Sequence, residues 1–247
     1  MTTKKTATET APKKIVETGK YVAFFDIMGF KDFVYRNNHD DVKKRLEIFT
    51  EFKEQVAQLG KRDGDNPNPI GFEKINAATF SDSLLIVTDS NSSNELVCLI
   101  TLMSKIFCNA FKSQIPLKGA LAYGEFTADF NESIFFGRPL IDAYELAEDL
   151  EFYGTAIHHT AESQMPIVYR QRWIESGDLL LTPIPIKQSG DVTHLIISLE
   201  RSSRNSEYIE NAVAAFRPLV SGRPRRYLDK TQKVYLKAFE KPDPGNA

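Results

Sequence analysis

The sequence predicts an α+β fold in which helices pack against an antiparallel β-sheet. The predicted elements follow the order strand, helix, two strands, helix, two strands, helix, and each pair of strands is joined by a short turn. The 247 residues suffice for one large domain or two small ones with a real core. Hydrophobic residues make up 42% and charged residues 26%, as in ordinary globular proteins, and no internal repeat is present.

The first strand and helix follow a polar start of the chain. Residues 1–17 are mostly Thr, Lys, Ala and Glu, which predicts a disordered tail. The β-prone run 21–25 predicts a strand that leads into a turn at 26–30. Residues 61–69, with Gly, Asn and two prolines, predict a loop. Between turn and loop, the segment 40–59 predicts a helix because its apolar residues recur at helical spacing: Val42, Leu46, Phe49, Val56 and Leu59.

The next segment predicts a tight hairpin followed by a buried helix. Its two strands are expected at 72–79 and 84–88. Ser92 and Glu95 have the spacing of a capping box, in which each side chain bonds a backbone N–H group at the start of a helix. We therefore expect a helix that begins here and continues through an apolar stretch to Phe111.

A second hairpin and a third helix are predicted further along the chain. The strands of this hairpin are expected at 118–127 and 133–136. Pro139 suits the first turn of a helix, and residues 141–152 continue that helix. The remaining predicted elements are a strand at 193–199, a helix at 208–219 and a basic stretch at 223–241.

Charge and cysteine content exclude several classes of protein. A net charge of -2 gives no bulk attraction to nucleic acid or to an acidic membrane surface. The apolar stretch 96–111 contains too many polar residues to span a bilayer, and the N-terminus lacks the apolar region of a secretory signal. Cys98 and Cys108 lie roughly 15 Å apart on a helix, too far for a disulfide bond. These features predict a cytoplasmic protein.

Two aspartates are the strongest candidates for a functional site. Asp26 ends an apolar strand and precedes the turn Met28-Gly29-Phe30, whose glycine lets the backbone bend with its N–H groups free. Asp82 lies at the bend of a hairpin with apolar or small flanks. A carboxylate beside a buried strand is costly unless it is paired or binds a cation. The pair predicts a site for Mg²⁺ and a polyphosphate, and the alternative is a turn cap and an ordinary hairpin residue.

Four motifs occur in a fixed order: DIMGF at 26–30, FSDS at 80–83, KGALAYGEF at 118–126 and FGRPLIDAYELAE at 136–148. This set resembles the class III nucleotidyl cyclases, and most closely the pyrimidine cyclases of the bacterial Pycsar antiphage system. The resemblance covers about residues 20–155 and is loose over the C-terminal third. It implies a cyclase catalytic domain with a ferredoxin-like core over 18–247, with a C-terminal extension at about 156–247.

The resemblance also assigns roles to the residues of the first two motifs. Asp26 and Asp82 match the two metal-binding aspartates of the family, and Ile27 matches the residue whose carbonyl completes the metal site. The turn Met28-Gly29-Phe30 matches the amides that bind the β- and γ-phosphates. Two Mg²⁺ or Mn²⁺ ions per site are implied, one to acidify the ribose 3′-hydroxyl and one to neutralise the triphosphate and the departing pyrophosphate.

The choice of base is expected to depend on the strand before Asp82. Purine-using class III enzymes carry a base-reading lysine six residues before the second aspartate, where this chain has Asn76. Strand alternation places Lys74 and Asn76 on the face of Asp82, in the predicted nucleotide pocket. An amide pairs with either uracil or cytosine, and a solvent-facing Asn76 is the alternative. Ile134, at the position of the family's second base-reading acid, also disfavours a purine substrate.

The group that stabilises the transition state is less evident from the sequence. The asparagine and arginine that serve adenylyl cyclases align with Ile141 and Glu145, neither of which is suited to that role. Arg138, beside Gly137, is the first candidate for a replacement cation. Further candidates, which could equally form a solvated charged face, are Lys118, Arg223, Arg225, Arg226, Lys230 and Lys233.

These features together predict a cyclase that converts UTP to 3′,5′-cyclic UMP and pyrophosphate, with CTP as the alternative substrate. The resemblance implies a head-to-tail homodimer with composite active sites, and a cyclic product that acts on a separate effector protein in antiphage defence. No nucleic acid or membrane partner is expected. A degenerate domain that binds nucleotide without catalysis is the alternative, favoured by Ile141 and Glu145 and opposed by the two retained aspartates.

Overall fold

The computed structural model describes residues 19–59 and 75–239, whose strands form one large sheet and one small one. The strands are β1 (Lys20–Ile27), β2 (Ile75–Phe80), β3 (Ser83–Thr88), β4 (Leu117–Gly124), β5 (Thr127–Asp129), β6 (Ile134–Phe136), β7 (Gly154–Ile157), β8 (Leu179–Ile186) and β9 (Gly190–Ile197). Seven of them lie in the order β2-β3-β1-β4-β7-β9-β8, and β5 pairs with β6 in a separate hairpin. In the large sheet β4 and β7 are parallel, and the other neighbouring strands are antiparallel.

Helices cover both faces of the large sheet. They are α1 (Phe30–Arg36), α2 (His39–Leu59), α3 (Ser93–Lys112), α4 (Arg138–Asp149), α5 (His159–Gln164), α6 (Ile167–Glu175), α7 (Ser206–Phe216) and α8 (Gly222–Phe239). Tyr21, Ala23 and Phe25 of β1 pack in the cluster that contains α2 and α3, whereas Phe24 packs with Ala143 of α4. Since side chains alternate along a strand, Asp26 lies on the α4 face.

The apolar helix α3 is the centre of the core. Ser92 caps it as predicted, through a side chain that accepts a hydrogen bond from the Glu95 N–H group, whereas the Glu95 carboxylate accepts from the Ser90 N–H group and not from that of Ser92. Among the described residues, α3 is the one helix long and apolar enough to cross a membrane, but 72% of its most apolar window is buried inside the protein. Such burial is typical of the core helix of a globular domain.

The C-terminal helices form a second cluster at the other end of α3. Phe216 of α7 and Tyr235 of α8 pack against Phe111 and Phe107 of α3, with ring centroids 6.2 and 5.7 Å apart. The same cluster includes side chains of β7, β8 and β9. Strand β8 lies at an edge of the sheet and contains two prolines, Pro183 and Pro185.

The strand predictions were wrong at one point and incomplete at others. The segment 118–127 does not pair with 133–136; β4 lies between β1 and β7, and β6 pairs with β5 instead. The reason is that β4 is a buried central strand that ends at Gly124. Helix α8 (Gly222–Phe239) and strands β7 and β8 were missed. The predicted tail at 1–17 and loop at 61–69 lie outside the described residues.

Candidate active site at the ends of β1, β3 and β4

The two aspartates singled out in the sequence lie side by side at one end of the sheet. Asp26, near the end of β1, is opposite Ser83 of β3 on one side and opposite Lys118 of β4 on the other. The Ile27 N–H group donates a hydrogen bond to the Asp82 carbonyl oxygen at 3.1 Å. This bond fixes the bend of the β2–β3 hairpin against the end of β1, so residues 56 positions apart in the chain become neighbours.

The turn after β1 has the shape that the sequence predicts, but one of its amides is already used. Gly29 has φ 76°, in the left-handed region that favours glycine, and it precedes the first residue of α1, the buried Phe30. The Met28 N–H group donates to the Pro116 carbonyl oxygen at 2.8 Å, so it is not available to a phosphate. The Phe30 N–H group opens the helix, where it has no intrahelical acceptor.

The surroundings of the Asp26 side chain disfavour its ionised form. Burial, and then repulsion by the Asp82 carboxylate, raises the pKa of Asp26 to about 6, although Lys118 lowers it. The Ser83 hydroxyl donates a hydrogen bond to Asp26 Oδ1 at 3.4 Å. The ionised carboxylate is therefore poorly compensated by the protein alone, and a bound cation would relieve this cost.

The donor set fits a metal that is held jointly with a substrate. Within residues 19–59 and 75–239, no group of three or more His, Cys, Asp or Glu side chains could hold a metal ion. The site instead offers the carboxylates of Asp26 and Asp82, together with the backbone carbonyl of Ile27, the residue after Asp26. Mg²⁺ is commonly bound by one or two carboxylates together with substrate phosphates, so the residues suit such an ion.

Lys118 supplies a buried positive charge next to Asp26. Its side chain is 3% exposed, and its Nζ donates to the Glu148 carbonyl oxygen at 3.3 Å and lies 3.6 Å from Glu148 Oε1. Burial lowers the pKa of Lys118, whereas the carboxylates of Glu148 and Asp26 raise it. Lys187, in the turn between β8 and β9, lies 3.3 Å from the other oxygen of Glu148. The result is a four-residue cluster of alternating charge: Asp26, Lys118, Glu148 and Lys187.

Sequence reasoning found two members of this cluster and missed the other two. Lys118 was a candidate cation, but Glu148 attracted attention only as the last residue of a motif. Lys187 carried no sequence signal, because it reaches the site through the pairing of β8 with β9 and of β9 with β7. The spacing of these segments in the chain does not reveal that pairing.

The residues predicted to read the base lie on β2 or before it. Asn76 is opposite Val87 in the β2–β3 hairpin, and alternation places it on the face of Ser83 and Asp26. It is exposed, and its amide donates to Asp89 Oδ1 at 3.3 Å. Base recognition by Asn76 stays a prediction. Lys74 lies outside the described residues.

Arg138 lies at the far end of α4 from the aspartates. Its side chain is 81% exposed, and its Nε is 3.5 Å from Asp142 Oδ2. The start of α4 adjoins Gly124, where an added Cβ would lie 3.2 Å from Pro139, whereas the end of α4 adjoins Lys118. Arg138 is thus roughly 15 Å along the helix from Glu148. One chain alone does not bring Arg138 to Asp26.

Comparison with known proteins shows which solved structures share this fold. No family model matches the sequence, and no curated protein matches it. The catalytic core of a rhodopsin-guanylyl cyclase with converted specificity, solved in complex with ATPαS, is similar over 74% of this chain and 97% of its own, with 15% identity and a TM-score of 0.52. The dimeric guanylyl cyclase domain of the RhoGC fusion protein from the aquatic fungus Blastocladiella emersonii is similar over 74% of this chain and 98% of its own, with 16% identity and a TM-score of 0.51. The predicted fold class is confirmed: the chain has the α+β fold of class III nucleotidyl cyclase catalytic domains.

Proposed function

We propose that this protein is a nucleotidyl cyclase that converts UTP to 3′,5′-cyclic UMP and pyrophosphate. The observation that carries the proposal is the adjacency of Asp26 and Asp82 at one end of a cyclase-type sheet. The fold supports cyclase chemistry in general, since the similar solved domains are guanylyl cyclases. The choice of a pyrimidine rests on the four sequence motifs and on Asn76 in place of a base-reading lysine.

The residues around Asp26 would divide the work of the reaction. Asp26, Asp82 and the Ile27 carbonyl would hold one or two Mg²⁺ or Mn²⁺ ions, and these ions would activate the ribose 3′-hydroxyl and neutralise the triphosphate. Gly29 and Phe30 would present backbone N–H groups to the phosphates. Lys118 keeps a positive charge beside Asp26, held in place by Glu148. This charge favours the binding of an anionic substrate at the same end of the sheet.

We further propose that the active enzyme is a head-to-tail homodimer. An exposed apolar surface, which we call the α4 surface, runs over α4, the β5–β6 hairpin and the adjoining end of β2, and it includes Phe80, Ile134, Phe136, Ile141 and Tyr144. Exposed apolar patches of this kind mark interaction sites. In a two-fold dimer the α4 surface of one chain would face the aspartates of the other, and Arg138 would enter the partner's site as the transition-state cation.

A degenerate nucleotide-binding domain is the second candidate. The outward positions of α4 that would serve the transition state carry Ile141 and Glu145, and both side chains are exposed. This observation favours binding without turnover. CTP is the alternative substrate for an active enzyme, because the Asn76 amide pairs with either pyrimidine. We place the protein in the cytoplasm, with its cyclic product acting on a separate effector in antiphage defence.

The decisive experiment is product analysis with each of the four nucleoside triphosphates. The purified chain, with Mn²⁺ or Mg²⁺, is expected to convert UTP to cyclic UMP, identified by mass, and Asp26→Ala should be inactive. Cyclic CMP as the main product would select the alternative substrate, and cyclic AMP or GMP would overturn pyrimidine specificity. Tight nucleotide binding with no cyclic product from any triphosphate would select the degenerate domain.

A further inference from the structure

The start of α8 lies against the buried lysine of the site. The ring of Tyr227, itself 1% exposed, has its centroid 5.9 Å from Lys118 Nζ. The guanidinium carbon of Arg223 lies 5.8 Å from the same centroid, and Arg223 Nη2 donates to the Tyr227 hydroxyl at 3.4 Å. Both distances fall within the range of cation–π contacts. One aromatic ring therefore connects Lys118, the neighbour of Asp26, with an arginine of the C-terminal helix.

The position of α8 is fixed by the segment that joins α4 to β7. The Tyr153 N–H group donates to Thr231 Oγ1 at 2.7 Å. The Glu151 carboxylate binds Arg226 and Lys230, one turn apart on α8. Because this segment follows Glu148 and precedes the partner strand of Lys118, α8 is held at the same end of the sheet as the aspartates.

Arg223 contacts Tyr227 but, unlike Arg226 and Lys230 on the same helix, it binds no carboxylate of the described residues. Arg226 and Lys230 both bind Glu151, whereas Arg223 forms no ion pair within residues 19–59 and 75–239 and is exposed. The Tyr227 hydroxyl and, after it, the nearby carboxylates of Glu151 and Glu148 raise the pKa of Arg223. A planar guanidinium in such a place is suited to bind phosphate oxygens through two parallel hydrogen bonds.

We propose that Arg223 binds the substrate triphosphate from the α8 side of the site, with Tyr227 as the positioning residue that holds both Arg223 and Lys118. The proposal rests on the proposed cyclase function. In that reaction the ribose 3′-oxygen forms a bond to the α-phosphorus while the bond from this phosphorus to the bridging oxygen of the β-phosphate breaks. The 3′-hydroxyl proton goes to water, and the negative charge grows on the departing pyrophosphate, which Arg223 would bind.

The test measures the binding of inorganic pyrophosphate with Mg²⁺ by calorimetry, which requires no turnover. Arg223→Gln is expected to weaken binding about tenfold or more, because a charge-assisted contact is lost. Arg223→Lys should restore part of the affinity. Lys237→Gln is the control: it removes the same charge from an exposed position on the same helix, roughly 21 Å away, and should change affinity less than twofold.

Variants of Tyr227 test the positioning role. Tyr227→Phe keeps the ring and should retain most of the affinity, whereas Tyr227→Leu should lose as much as Arg223→Gln. Tyr235→Leu removes another fully buried ring from α8, away from Lys118, and controls for loss of stability. A general packing defect is ruled out as the cause if Arg223→Lys and Tyr227→Phe keep affinity that Arg223→Gln and Tyr227→Leu lose.

The outcomes separate this proposal from the cyclase proposal. Equal pyrophosphate affinity in the parent and Arg223→Gln, or no binding by the parent, overturns the assignment of Arg223. Loss of binding in Arg223→Gln together with no cyclic product from the parent would keep the phosphate site and remove the cyclase function. Cyclisation by the parent with unchanged kcat and KM in Arg223→Gln would keep the cyclase and remove the role of Arg223.

Discussion

At the scale of single residues, ionisation of Asp26 lowers the stability of the metal-free protein, although the proposed function requires the ionised form. An acid whose pKa is raised in the folded state binds its proton more tightly there than in the unfolded chain. Without metal, the contribution of Asp26 to stability is therefore fully present below about pH 4, and it is lost as pH rises through about 6 and the carboxyl group ionises. In the proposed cyclase, this cost would be offset by the divalent cation that the ionised carboxylate binds.

We expect Asp26→Asn to stabilise the metal-free protein while abolishing cyclisation. The free energy of unfolding at pH 7 should rise by up to about 3 kcal/mol, the equivalent of the two-unit pKa difference, and this gain should shrink towards pH 4. Urea unfolding in EDTA measures both values. Asp32→Asn, which removes an exposed carboxylate from α1, is the control and should change little. A gain that is independent of pH would contradict the explanation.

Asn76→Ala tests the proposed recognition of the base. Loss of the amide should lower kcat/KM for UTP about tenfold, the usual effect of losing one hydrogen bond of about 1 kcal/mol or slightly more. Activity with a purine triphosphate should not change. Asn91→Ala, at an exposed amide after β3, is the matched control. An unchanged ratio of pyrimidine to purine product in Asn76→Ala would remove Asn76 from the pocket.

At the scale of elements, the sequence predicted caps, turns and a hairpin correctly, but it did not predict how strands distant in the chain pair in the sheet. The Ser92 cap of α3, the turn at Gly29 and the β2–β3 hairpin depend on residues close in sequence, and all three were predicted. The partners of β4 could not be predicted, because β1 and β7 are distant in the chain and one pairing is parallel. Strand β8 was missed since its two prolines are more typical of loops.

The buried Glu95 at the start of α3 should contribute a measurable part of the stability. Glu95 is 1% exposed, and its carboxylate accepts hydrogen bonds from the Ser90 N–H group at 2.8 Å and the Ser90 hydroxyl at 2.7 Å. Glu95→Ala leaves these donors without a partner and should cost about 2 to 3 kcal/mol of unfolding free energy. Glu51→Ala, on the exposed side of α2, serves as the control in urea unfolding. Equal midpoints for the two variants would show that the bonds between Glu95 and Ser90 contribute little.

At the scale of the whole molecule, one chain separates the aspartates from Arg138 by the length of α4. The sequence indicated the aspartates because they end strands, but it could not show that Arg138 lies at the opposite end of its helix. The proposed composite site would resolve this separation, since a two-fold axis would bring the start of α4 in one chain close to the aspartates of the other.

Mixed dimers test the composite site. Asp26→Ala and Arg138→Ala should each be inactive, and an equal mixture should recover about a quarter of the parent activity, because half of the dimers are mixed and each carries one intact site. A mixture of Asp26→Ala with Asp82→Ala should recover nothing, since both changes damage the same half-site. Recovery in neither mixture, with dimers present in sedimentation, would place the transition-state cation elsewhere.

The two prolines of β8 bear on how such a chain behaves when it is concentrated. An open sheet edge is a template on which another copy can add a strand, and growth by repeated addition leads to fibres. Pro183 and Pro185 lie two residues apart, so the same side of the strand loses two N–H donors in succession. Addition of a strand at this edge is thereby disfavoured. The proposed homodimer would instead associate through the α4 surface, and a two-fold pair of this kind is closed and does not propagate.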